Sequence, residues 1–229
     1  MLHAFNQKNV RRVLMHVRSD HKIGKDEDGV TSMVFTPLAF MSAKAAAAVA
    51  LEISGPTLAD AFQGRTPCAH HIQLWPEGLR DRSWAETDRQ TRCEPDFLLR
   101  FDFEAGPQVV LVGEVKWDWN VSSDHIQTEI DRQRRAVAAH YPDATAMVMV
   151  AITKYRLRAT LANVVERTWV QLHGAANALR TRDPQAAEGR WGALVGEFLT
   201  RAEQIDFQGF TLTNEVSTPN EPVFWRETT

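Results

Sequence analysis

The chain is poor in cysteine: Cys68 and Cys93 are the only two in 229 residues. That is too few for a disulfide scaffold and leads us to expect a reducing, cytoplasmic compartment. Long apolar runs are also missing, since Lys44, Glu52 and Lys154 break the best candidates well short of a bilayer-spanning length. No membrane association is expected. The opening residues Met1 to Asn6 have neither the basic start nor the apolar centre of a signal peptide. There is no internal repeat, low-complexity tract or Ser/Gly linker, so residues 1–229 read as a single domain. An excess of positive charge is absent too. Twenty-six basic residues against 29 acidic ones leave a net charge of −3, which excludes a generally basic nucleic-acid coat.

What is present is an ordinary globular composition, 44% hydrophobic and 24% charged, able to bury a real core. Arginine outnumbers lysine 20 to 6, and its planar fork suits phosphate oxygens. The charge is uneven along the chain. Residues 1–25 carry six basic side chains and one acidic, whereas 26–122 carry fifteen acidic and eight basic. An acidic middle is what a set of carboxylates gathered around a metal would give, and a surface accident would give it equally.

The patterning predicts a mixed α/β order. Val10 to Arg18 reads as a strand or short helix, and Thr31 to Ile53 as helix with a bend at Pro37, ended by Gly55-Pro56. Residues 56–92 look irregular. Two apolar, β-branched segments follow, Pro95–Phe103 and Gln108–Trp117, joined by a turn so short that they must form an antiparallel hairpin. Asp124 is a good N-cap for a helix from His125 to Tyr141, and Ala146–Thr153 is a third strong strand. Helices are expected at about 160–180 and 188–204. Beyond them come a short strand at Phe210–Leu212 and a loose tail from about 213 to 229.

The hairpin carries the chemistry. With the turn centred on Ala105, residues whose numbers sum to 210 face each other, which sets Asp96 opposite Glu114 on one face with Cβ atoms about 5 Å apart. Lys116 lies two positions beyond Glu114 and projects from the same face. Two clustered carboxylates repel unless a cation lies between them, and such oxygen donors suit Mg²⁺ or Mn²⁺. The carbonyl of Val115 offers a further oxygen. The lysine is placed to orient an attacking water or to meet charge growing on a phosphoryl oxygen. A salt-bridged patch on a solvated sheet is the bland alternative. It fits poorly, because Glu114 and Lys116 sit in a run of Val, Leu, Gly and Trp that reads as a central strand covered on both faces.

Pro95-Asp96, a gap, then Glu114-Val115-Lys116 resembles the PD-(D/E)XK nuclease superfamily in its intact form, P-D…E-x-K. The likeness extends over roughly residues 20–155 in the order helix, strand, strand, helix, strand. It implies a restriction-endonuclease-like core, a central mixed β-sheet flanked by helices. It further implies a phosphodiesterase dependent on Mg²⁺ or Mn²⁺, with Asp96 and Glu114 as metal ligands, Lys116 as the catalytic cation and 5′-phosphate products. Glu27, in the Glu27–Ser32 segment that opens the first helix, is the implied third carboxylate, with Asp28 as its competitor or the helix cap. Of Gln127 and Gln133, Gln127 is the expected supporting glutamine because it lies in the first turn after Asp124. The helix start near Asp124, with Arg132, Arg134, Arg135, Lys154, Arg156 and Arg158, is expected to meet the nucleic-acid backbone. The expected substrate is DNA ahead of RNA. A homodimer or an operon-encoded partner protein would supply recognition, and a defence, repair or mobile-element system would be the setting.

Three other features have plainer readings. Cys68, His70, His71 and Cys93 do not fit the C-x-x-C or H-x₃₋₅-H spacing of a zinc site. Arg80, Arg82, Arg89 and Arg92 interleave with Asp81, Glu86 and Asp88, as a substrate-contacting loop or a soluble surface equally would. Trp117 and Trp119 could stack on a base but read first as core or sheet-edge packing, and Trp169, Trp191 and Phe198 read as core. A catalytically silent nuclease-fold module that binds DNA or a partner is the rival functional reading.

Overall fold

The computed structural model describes residues 25–76, 79, 93–117 and 121–205. Several features expected from the sequence lie outside them: Val10–Arg18, the cluster Arg80, Arg82, Arg89 and Arg92, Trp119, the Phe210–Leu212 strand and the tail. In order, the elements are α1 (Lys25–Phe35), a 3₁₀ turn (Thr36–Phe40), α2 (Ala43–Ser54), α3 (Pro56–Phe62), β1 (Ala69–Leu74), β2 (Phe97–Asp102), β3 (Gln108–Val115), α4 (Ser123–His140), β4 (Ala144–Thr153), β5 (Val165–Thr168), α5 (Trp169–Arg182) and α6 (Ala187–Arg201). This is an α/β architecture with one five-stranded mixed sheet in the order β1-β2-β3-β4-β5. The first two pairings are antiparallel and the last two parallel.

The β2–β3 hairpin has the predicted register: Phe97 pairs with Gly113 and Phe101 with Val109. Every residue of β3 after Gln108 is buried, as befits a central strand with helices on both faces. Alternation sorts its side chains. Val109, Leu111 and Val115 join the larger core with α1, α2, α5 and α6, whereas Val110 and Val112 join Leu98, Ile126, Ile130 and Val137 under α4. Asp96, Glu114 and Lys116 continue that second, even-numbered face.

One glycine decides how α1 meets the hairpin. A Cβ on Gly113 would stand 1.9 Å from the Phe97 ring, so only glycine lets that ring lie across β3. Phe97 in turn stacks on Phe35 at 4.2 Å. Trp191 donates its indole N–H to Val34 O at 2.8 Å and ties the end of α1 to α6. The helix that bears Glu27 is thereby fixed against the strands that bear Asp96 and Glu114.

Several boundaries differ from expectation. The expected 31–53 helix starts six residues earlier and divides at Pro37 into α1, a 3₁₀ turn and α2. Gly55, at φ +63°, and Pro56 at the first helical position start α3 where the sequence reads as a helix end followed by irregular chain. The cap of α4 is Ser122, which accepts from His125 N, rather than Asp124 in the first turn. Residues 165–168 form an edge strand, and the next helix begins only at Trp169, under a Thr168/Gln171 capping box. No described helix is long and apolar enough to cross a membrane.

Candidate active site

The carboxyl ends of the parallel strands β3 and β4 and the start of β2 meet at one edge of the sheet. Asp96, one residue before β2, keeps the hairpin ladder going by donating its N–H to Gly113 O at 3.0 Å. Its carboxylate lies back across β3, where Oδ2 accepts from Val115 N at 2.6 Å. Oδ1 accepts from the indole of Trp75 at 3.3 Å, and the Trp75 N–H donates to Asp96 O at 3.2 Å. Trp75 adopts φ +47°, unusual for so bulky a residue, and from there both tethers reach Asp96.

Glu114 is buried at 4% exposure and Asp96 at 7%. Glu114 Oε1 meets Lys116 Nζ at 2.5 Å, and its Oε2 accepts from Gln133 Nε2 at 2.5 Å. Lys116 also reaches Glu27 Oε1 at 3.5 Å, while Glu27 Oε2 accepts from Trp117 N at 2.9 Å. The Lys116 backbone is fixed on both sides, its N–H on Ile152 O at 2.8 Å and its carbonyl under the Trp169 indole at 3.1 Å. Val115 has its N–H turned to Asp96. N–H and C=O of one strand residue leave on the same side, so its carbonyl faces that side too.

Burial dominates the electrostatics. Desolvation pushes both Asp96 and Glu114 up, with mutual repulsion adding to the Glu114 shift and Lys116 opposing both. Glu27 is also raised by burial, against the pull of Lys116 and the Trp117 hydrogen bond. For Lys116, burial acts downward, but the charges of Glu114, Glu27 and Asp96 outweigh it and hold the ammonium firmly protonated. Three carboxylates against one ammonium leave two negative charges in excess when all are ionised. At neutral pH the cluster is therefore driven to retain protons or to take up a cation.

Asp28, Trp75, Glu94 and Asp96 line an adjoining open cleft of about 340 Å³. Its carboxylate oxygens are hard donors of the kind that hold Mg²⁺ or Mn²⁺. Among the described residues, no three His, Cys, Asp or Glu side chains lie together at metal-ligand spacing. Lys116 is seated between Glu114 and Glu27, so a cation shared by those residues requires the ammonium to swing aside.

The sequence-predicted residues Glu27, Asp96, Glu114 and Lys116 are thus brought together, with Val115 beside them. Gln127 is not. Its amide bonds Asp131 at 3.0 Å and Ala162 N at 2.8 Å, on the outer side of α4. Gln133 is the glutamine that touches the site. It belongs to the buried stripe Ile126, Ile130, Gln133, Val137, and that helical spacing was the signal that identifies it. Trp75 has no counterpart in the expected set, because the strand that delivers it was not legible. Asp28 lines the cleft without bonding Lys116. Trp117 is fully buried against Trp169 and Phe198 and is core. Cys68 and His70 bond the backbone carbonyls of Asp102 and Leu38, and Cys93 is buried. No protein family, curated protein or solved structure matches the chain.

Proposed function

We propose that the protein is a divalent-metal-dependent nuclease with a restriction-endonuclease-like core of the PD-(D/E)XK type, hydrolysing phosphodiester bonds, in DNA ahead of RNA. One observation carries the reading. Glu27, Asp96, Glu114 and Lys116, from three separate segments, converge at one sheet edge with negative charge that a single lysine does not neutralise. The order α1, β1, β2, β3, α4, β4, with Asp96 just before β2 and Glu114 on β3, supports the same assignment.

Asp96 and Glu114 would hold Mg²⁺ or Mn²⁺, with Glu27 as the third carboxylate. The ion, when bound, supplies a water of lowered pKa and a Lewis acid for the phosphate. The remaining work belongs to the chain. Val115 N–H and the Trp75 indole fix the Asp96 carboxylate, and Gln133 fixes that of Glu114, so their free lone pairs are aimed before substrate arrives. Lys116 Nζ, released from Glu114, orients the attacking water and meets the charge that develops on the phosphoryl oxygens.

A second reading, a nuclease-fold module that binds without cleaving, is favoured by the seating of Lys116 on Glu114 and Glu27. Plasmid and single-strand digestion with Mg²⁺ or Mn²⁺ separates the two. Wild-type protein is expected to cleave, and Lys116→Ala and Asp96→Ala each to lose about 10²–10³-fold or more. Cleavage untouched by both substitutions removes the site, and wild-type protein inert with either metal supports the silent module.

A further inference from the structure

Beyond β4 the chain crosses the same sheet edge. Ile152 O receives the Lys116 N–H, so residues 154–158 emerge next to the candidate site. The segment is tied down at several points. The Thr153 hydroxyl donates to Tyr155 O at 2.7 Å, Ala159 N donates to Ser123 Oγ at 3.0 Å, Ala162 N to Gln127 Oε1 at 2.8 Å, and Arg134 to Asn163 O at 2.9 Å. The last three of these fasten residues 159–163, just downstream, along α4. What it turns outward is an aromatic ring among cations. Tyr155 is 51% exposed, one of three exposed large hydrophobic side chains among the described residues. Lys154 Nζ lies 5.7 Å from its ring centre. Arg156 and Arg158 are exposed, and neither forms an ion pair among the described residues.

We propose that residues 154–158 form a platform for single-stranded nucleic acid, on which one base stacks against Tyr155 while Arg156 and Arg158 take the flanking phosphates. An aromatic face rewards only a base that has left its neighbours, and duplex bases have not. The bond from Thr153 to Tyr155 O and the anchoring of residues 159–163 on α4 hold the segment from both ends beforehand, which lowers the ordering cost of stacking. The platform rests on the proposed hydrolase for the direction of the strand, which runs from Tyr155 toward Lys116.

The test is fluorescence anisotropy of a labelled oligothymidylate and of a short blunt duplex, with the full chain in low salt and EDTA so that nothing is cut. Tyr155→Ala is expected to weaken oligothymidylate binding about 5- to 100-fold and to leave the duplex nearly unchanged, with Tyr155→Phe close to wild type. Replacing Arg156 and Arg158 together by Gln lowers the salt slope for the single strand by about 1.4. Unaltered oligothymidylate affinity in Tyr155→Ala, equal losses for both probes, or no binding by wild-type protein overturns the platform. Tyr155-dependent binding by a chain that cleaves nothing with Mg²⁺ or Mn²⁺ retains the platform and overturns the hydrolase. Cleavage by a chain whose binding ignores Tyr155 does the reverse.

Discussion

Replacing Glu114 by Gln probes the central electrostatic claim, because it removes one buried charge and nearly preserves the shape. Burial is the main cause that moves Glu114 from 4.5 to about 8. At ~1.4 kcal/mol per tenfold, ionising it in the folded state costs ~5 kcal/mol at most. The carboxyl is raised on folding, so the cost is nil below its unfolded value. It grows as pH rises from about 4.5 to about 8 and is complete above that. The variant escapes this cost, in which the opposing attraction of Lys116 is already contained. Its new NH₂ is accommodated because Gln133 Oε1 has no hydrogen-bond partner and faces it once the Gln133 amide turns over. Without metal, Glu114→Gln should therefore be more stable than wild type by a few kcal/mol at pH 8.5, with ~5 kcal/mol as the ceiling, and nearly equal to it at pH 5. Urea unfolding in EDTA across that range measures the difference. Mg²⁺ should then stabilise wild-type protein and leave the variant unmoved. A variant less stable than wild type at pH 8.5, or equal stabilisation of both by Mg²⁺, would refute the account of an uncompensated acidic site.

Other outcomes follow from the supporting residues. Gln133→Leu should weaken Mn²⁺ binding about 10- to 100-fold by calorimetry, whereas Gln127→Leu should leave it unchanged. Trp75→Phe keeps the ring but loses the donor to Asp96 Oδ1, and should cost about 10-fold in Mn²⁺ affinity with no change in fold by circular dichroism. Gly113→Ala drives a methyl into the rigid, buried Phe97 ring, and should lower stability by about 1–3 kcal/mol or more in urea unfolding.

The parts of the fold that could be read from sequence are those where local and distant signals agree. Four residues between two β-rich runs fix the β2–β3 register, and that register places Asp96, Glu114 and Lys116 on one face. β1 is illegible because Ala69–Leu74 has two histidines at its second and third positions and is nowhere fully buried, so neither composition nor alternation marks it. Trp75, which follows it, went with it. β5 is four residues long, Val-Glu-Arg-Thr, and is a strand only because β4 offers a parallel edge. Asp124 reads as the cap of α4, but Ser122, two residues earlier, holds the required extended backbone. Nearness to the strand ends points to Gln127, whereas the apolar stripe of α4 points to Gln133, the glutamine that bonds Glu114.

The bond from Glu27 to the Trp117 N–H spans 90 residues. A contact of such high sequence separation must overcome its loop-closure entropy before it returns any stabilisation. A chain with α1 undocked would carry Asp96, Glu114 and Lys116 without their third acid, so the cluster is complete only when α1 is seated on the hairpin.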